Sequence, residues 1–152
     1  MKARKLLIGV ASAAVLVLAL GTVALAAGAA STHLKATLNV GQEVPKPTVK
    51  APGGTGTFTA TLSGTKLTWK LSFQKLSGKA GAAHIHLGRP GKAGNVAVSL
   101  CGPCASGVSG KATLTPAQVK AILAGGTYVN VHTAKNAGGE IRGQITKAAA
   151  GY

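Results

Sequence analysis

The sequence predicts an all-β domain, an antiparallel sandwich or barrel with one short helix, behind an apolar leader. Three observations carry this. Apolar residues recur at every second position in one segment after another. Breakers separate those segments: Pro52-Gly53-Gly54, Ser63-Gly64, Ser77-Gly78, Arg89-Pro90-Gly91 and Gly138-Gly139. One stretch alone switches to helical spacing.

The leader comes first. Lys2, Arg4 and Lys5 precede a nearly unbroken apolar run from Leu6 to Leu25. Ala24-Leu25-Ala26 and Ala27-Gly28-Ala29 then offer small-residue cleavage sites, so residues 1–30 read as a signal peptide. The alternative is an uncleaved anchor, because roughly 20 apolar residues span a bilayer. Either way the remaining chain is expected to be secreted or held in the cell envelope. Membrane contact would be confined to this segment.

Residues 31–147 are the expected sandwich domain, and 148–152 a short tail. Leu34, Ala36, Leu38 and Val40 form the first stripe; Phe58, Ala60 and Leu62 the second. Leu67, Trp69, Leu71 and Phe73 give the clearest one, with Trp69 as a core anchor. Val96, Val98 and Leu100 make another, and Ile141, Gly143 and Ile145 the last. Thr115-Pro116 marks a helix start, Val119, Ile122 and Leu123 its apolar spacing, and Gly125-Gly126 its end.

Composition narrows the chemistry. The chain has 152 residues, 17 Lys+Arg and only two acids, Glu43 and Glu140, for a net charge of +15. Losing the leader's three basic residues leaves 14 against 2, or +12. With no Asp, a carboxylate cage for Ca²⁺ or Mg²⁺ and an Asp-supported triad are both excluded. No catalytic set emerges, and the domain is read as non-enzymatic. The lysines are scattered through the sequence and no motif interleaves aromatics with them, which argues against nucleic acid. For an exported cation, the partners are anionic cell-envelope polymers or an extracellular protein.

The histidines are the sharpest signal. His84 and His86 lie on one face of a strand, with Ala83, Ile85 and Leu87 on the other. Their Cα atoms are then roughly 7 Å apart, close enough for both rings to reach one ion. His132 follows on another strand pattern, sharing its face with Tyr128 and Asn130. Three neutral imidazoles suit copper or zinc, copper being favoured by the Irving–Williams order. Glu140 is a candidate fourth ligand, or a locking partner for a His or for Arg142 on the last strand. A hydrogen-bonded His cluster without metal, in a cationic surface protein, is the competing reading. Glu43 either accepts turn N–H groups or meets the His cluster. His33 is read as exposed.

Cys101-Gly102-Pro103-Cys104 matches a redox tetrapeptide, but that chemistry needs a helix after the first Cys to lower its pKa. Ala105-Ser106-Gly107 cannot supply one, so a loop disulfide between Cys101 and Cys104 is expected, with a redox role as the weaker alternative.

Gly41-Gln42-Glu43-Val44-Pro45, Ala83-His84-Ile85-His86-Leu87-Gly88 and Gly126-Thr127-Tyr128-Val129-Asn130-Val131-His132-Thr133 occur in that order. Gly138-Gly139-Glu140-Ile141-Arg142-Gly143 closes the series. Together these motifs resemble the CHRD (chordin-type) domain, over roughly residues 33–146. The resemblance implies an immunoglobulin-like, Greek-key β-sandwich of superoxide-dismutase-like shape. It also implies an extracellular domain, found alone as an exported protein in bacteria and within a growth-factor-binding protein in animals. The family often has Pro before the final Gly-Gly; here that residue is Ala137. The H-x-H strand is similar to the copper site of copper–zinc superoxide dismutase. That two-metal enzyme cannot be built from four histidines and no Asp.

Overall fold

The computed structural model describes residues 30–49 and 53–149. The segment read as a signal peptide, residues 1–30, lies outside the described residues apart from Ala30, as does the end of the 148–152 tail. Among the described residues, no helix is long and apolar enough to cross a membrane.

The described chain is antiparallel β with one short α-helix. The strands are β1 (Ser31–Asn39), β2 (Thr55–Ser63), β3 (Lys66–Gln74), β4 (Ala80–Leu87) and β5 (Val96–Cys101). They continue with β6 (Val108–Thr113), β7 (Thr127–Thr133), β8 (Ile141–Gln144) and β9 (Thr146–Lys147). Helix α1 (Pro116–Leu123) joins β6 to β7, and a 3-10 turn, Val40–Gln42, follows β1. The strand order is β5-β4-β7-β8-β1-β2-β3-β6, with β9 also on β1.

The sandwich is one folded sheet. The β5-β4-β7-β8 half and the β1-β2-β3-β6 half join at the corner through a single ladder pair, Asn39 with Arg142. The far ends of the path, β5 and β6, come into contact and nearly close the structure. Period-2 alternation sends the apolar sets of both halves into a common core. Leu38 and Leu71 from one half and Ile85, Val129, Val131 and Ile141 from the other are completely buried.

Trp69 is 5% exposed and anchors the core as expected. Its ring also explains β6, a strand that period-2 apolar patterning does not reveal. Gly110 of β6 lies opposite Trp69, and a Cβ there would sit 2.5 Å from the indole Cζ2. The inward positions of β6 are therefore small, and its hydrophobic signature is weak.

Helix α1 begins as the sequence predicts. Thr115 Oγ1 accepts from Gln118 N–H at 3.2 Å and Gln118 Oε1 accepts from Thr115 N–H at 2.7 Å. This reciprocal capping box satisfies two otherwise orphaned donors. Gln118 Nε2 also donates to Ala97 O at 2.6 Å, tying the helix to β5. Ile122 is the buried helix residue, whereas Leu123 is 38% exposed.

Candidate metal centre

The site occupies the outer face of the β4-β7-β8 half, opposite the core. Alternation decides this. Ala83 and Ile85 are fully buried in the core, so His84 and His86 point outward. Register then places the third ring. His84 pairs with Asn130, His86 with Tyr128, and Ala82 with His132. His132 thus stands beside a methyl side chain, and this leaves room for it to lean toward His84.

The three rings converge. Ring centroids are 5.0 Å apart for His84–His132, 5.6 Å for His84–His86 and 5.7 Å for His86–His132. One ring nitrogen from each lies within 4.8 Å of the other two. His84 Nδ1 and His132 Nε2 are 3.1 Å apart. Nitrogens in a tetrahedral site with metal–nitrogen bonds of about 2.0 Å stand about 3.3 Å from one another.

Hydrogen bonds fix the tautomers of two rings. His86 Nδ1 is 2.9 Å from Gly94 O and His132 Nδ1 is 3.0 Å from Ala137 O. A carbonyl only accepts, so each Nδ1 carries the hydrogen and each Nε2 keeps its lone pair. His86 Nε2 is buried and has no hydrogen-bond partner. An N–H donated to a carbonyl is the arrangement that orients a metal-binding imidazole and raises its basicity. Burial lowers the pKa of His84, with His86 adding to the effect. Burial also lowers His132, with the neighbouring His84 and His86 adding to it, against the opposing hydrogen bond to Ala137. Both rings are therefore neutral, the form that ligates, at neutral pH. The rings open onto a depression of about 390 Å³ rimmed by Gly81, Ala82, Val96 and Ala134.

Glu140 is not a fourth member of this group. Its carboxylate accepts from Ser77 N–H, from Ser77 Oγ at 2.6 Å, from Thr133 Oγ1 and from Asn136 Nδ2 at 3.1 Å. These four donors take up its lone pairs and fasten the β3–β4 and β7–β8 connections together. Burial raises its pKa, but the hydrogen bonds outweigh that and hold it below the usual carboxylate range. The expectation that it ligates metal, or pairs with a His or Arg142, is corrected on this ground.

Glu43 and Arg142 form a second polar group on the same outer face. Glu43 is 2% exposed, and both its oxygens accept from Asn130 Nδ2, at 2.8 and 2.9 Å. Burial pushes its pKa up to about 7, against the opposing pull of Asn130 and Arg142. Arg142 is 1% exposed and donates through Nη2 to Lys92 O at 2.9 Å and Arg89 O at 3.1 Å. Its Cζ stands 3.4 Å from the centroid of the Tyr128 ring. His86 stacks on Tyr128 nearly parallel, with centroids 5.1 Å apart.

These outer-face side chains position the loop that serves His86. Tyr128 Oη accepts from Gly94 N–H at 3.2 Å, and Gln144 Nε2 donates to Gly88 O at 2.8 Å. The loop lies so close to β4 that a Cβ on Gly94 would come 1.9 Å from Leu87 O. Sequence reasoning does not find the Gly94 and Ala137 carbonyls as site groups; the Gly in the motif after His86 is the one available signal for the first.

His33 is exposed on β1, outside the cluster, with Nδ1 3.3 Å from Thr61 Oγ1. Cys101 and Cys104 form a disulfide with Cα atoms 5.3 Å apart. The chain after Cys104 leads into β6, and no helix starts there. A disulfide fits an extracytoplasmic location.

No curated protein and no solved structure matches the chain. A family model described as CHRD domain matches residues 34–145, which takes in β1 from Leu34, strands β2 to β8, both buried glutamates and the three converging histidines. The chain belongs to the CHRD domain family.

Proposed function

We propose that this domain is an exported, non-enzymatic binding module that holds one Cu²⁺ or Zn²⁺ ion through His84 Nδ1, His86 Nε2 and His132 Nε2. The observation that carries the reading is the convergence of three imidazoles, two already oriented by carbonyl hydrogen bonds. Metal entry costs one hydrogen bond. His84 Nδ1–H, which now faces His132 Nε2, shifts its hydrogen to Nε2 and frees both facing nitrogens. Three neutral ligands favour Cu²⁺ over Zn²⁺ and leave a coordination position open toward the depression.

Calorimetric titration of the protein with Cu²⁺ and with Zn²⁺ tests this. One ion per chain is expected, with affinity about a hundredfold weaker in the His84→Ala/His86→Ala variant. Equal affinity in the two proteins would leave the cluster a structural one.

A further inference from the structure

A second surface emerges from the strand register. On the β1-β2-β3-β6 half, the outward strand positions carry no apolar and no acidic side chain, and Ala148 borders them beside His33. Strand β2 contributes Thr55, Thr57, Thr59 and Thr61, a hydroxyl at every second residue. Its neighbours set cations beside them. One cross-strand row reads Lys35, Thr59, Lys70, Ser109. The next reads His33, Thr61, Thr68, Lys111, and the one after it ends on Lys66 and Thr113. Lysines far apart in sequence are thus gathered. Lys35 and Lys70 are two strand spacings apart, about 10 Å, and Lys66 and Lys70 about 13 Å apart along β3.

Among the described residues, no carboxylate neutralises these charges. The two acidic side chains, Glu43 and Glu140, are 2% and 0% exposed, and both are committed to internal donors. Lys35, Lys66, Lys70 and Lys111 are all exposed. Lys66 Nζ donates to Thr113 Oγ1 at 2.9 Å, so a lysine on this face makes hydroxyl contacts rather than an ion pair.

We propose that this face binds an acidic polysaccharide, a ribbon of sugar hydroxyls and carboxylates laid across the threonine ladder. The charge is complementary, and the hydroxyls of β2 meet those of the sugar. No Phe, Tyr or Trp occupies an outward strand position on this face and His33 is its single ring there, so it lacks the row of stacking platforms that single-stranded nucleic acid uses. An uncharged glycan finds no cation-driven attraction there. The site lies on the other half of the sheet from His84, His86 and His132 and does not depend on metal.

Retention on immobilised polygalacturonate is measured at rising salt, with a chelator present. Dextran and duplex DNA serve as comparison matrices. Lys35→Gln/Lys70→Gln is compared with Lys79→Gln/Lys120→Gln, which removes the same charge from exposed positions off this face. The expected result is binding to polygalacturonate, weakened about tenfold in the first variant and little changed in the second. Matching thermal melts identify both variants as folded. Equal loss in both variants would reduce the effect to net charge and overturn the proposal. Equal retention on dextran, stronger retention on DNA, or no retention on polygalacturonate would also overturn it.

Discussion

Replacing Glu140 by Gln separates the two roles a buried glutamate can play beside His132. The carboxylate accepts four hydrogen bonds, three of them at Oε2 and one, from Ser77 N–H, at Oε1. In the variant, a Gln carbonyl can keep the three at one position, but without the negative charge. Hydrogen bonds to charged groups are worth about 1.5–3 kcal/mol and neutral ones about 0.5–1.5, so roughly 3 kcal/mol is lost there. The amide at the other position confronts Ser77 N–H, donor against donor, and costs about 1–3 kcal/mol more. Glutamine is easier to bury than a carboxylate, which returns part of this. The net expectation is a loss of about 2–4 kcal/mol by urea denaturation at neutral pH, within the stability reserve of an ordinary domain. Because the folded-state pKa is lowered, the stabilisation is full above the unfolded value of about 4.3 and fades as pH falls through the folded one. Cu²⁺ affinity should change little. Unaltered stability combined with a tenfold or larger loss of metal affinity would refute this reasoning and make Glu140 a ligand.

Three further outcomes are expected. Glu43→Gln should remove a pH dependence of the opposite sign: the folded-state pKa is raised to about 7, so native protein binds a proton that unfolded chain releases, and stability falls as pH rises from about 4.3 to 7. Denaturation curves of the variant, subtracted from those of the parent across that window, should show the slope disappear. Gly94→Ala should push the 88–95 loop off Leu87 O and take the Gly94 carbonyl from His86, lowering Cu²⁺ affinity about tenfold by calorimetry while the core stays folded. Trp69→Ala should cost about 3–5 kcal/mol in urea denaturation, because the ring fills the space that Gly110 leaves open.

How far the sequence speaks differs between parts of the molecule. Strands with large inward residues, such as Leu67, Trp69 and Leu71, announce themselves. Strand β6 does not, because its middle inward residue, Gly110, must lack a side chain to admit the Trp69 ring, leaving only Val108 and Ala112 as its apolar signal. The helix is legible since its capping residues are adjacent in sequence. The His84/His86 pair is legible because one strand's alternation sets its face. Adding His132 requires only that a second strand pair in register. Glu140 fails by the same logic: strand alternation says which face it takes, but Ser77, Thr133 and Asn136 determine where its carboxylate ends. The pairing of Glu43 with Asn130 spans 87 residues, and no local pattern encodes it. Carbonyl anchors are invisible for a simpler reason, since every residue has a carbonyl and only loop geometry aims it. The lysines that look scattered in the linear chain become neighbours once β1, β2, β3 and β6 are paired.

Strand β4 reads as two interleaved texts. Ala83 and Ile85 serve the core, while His84 and His86 serve the outer face. A change at position 84 or 86 therefore rewrites the ligand set and leaves that strand's core side chains in place. On β7 the same division frees only His132, because the outward Tyr128 and Asn130 are themselves buried against Arg142 and Glu43. Such a scaffold tolerates diversification of its chemistry at little risk to its architecture. A library varied only at residues 84, 86 and 132 would explore new ion or ligand preferences on a nearly constant framework.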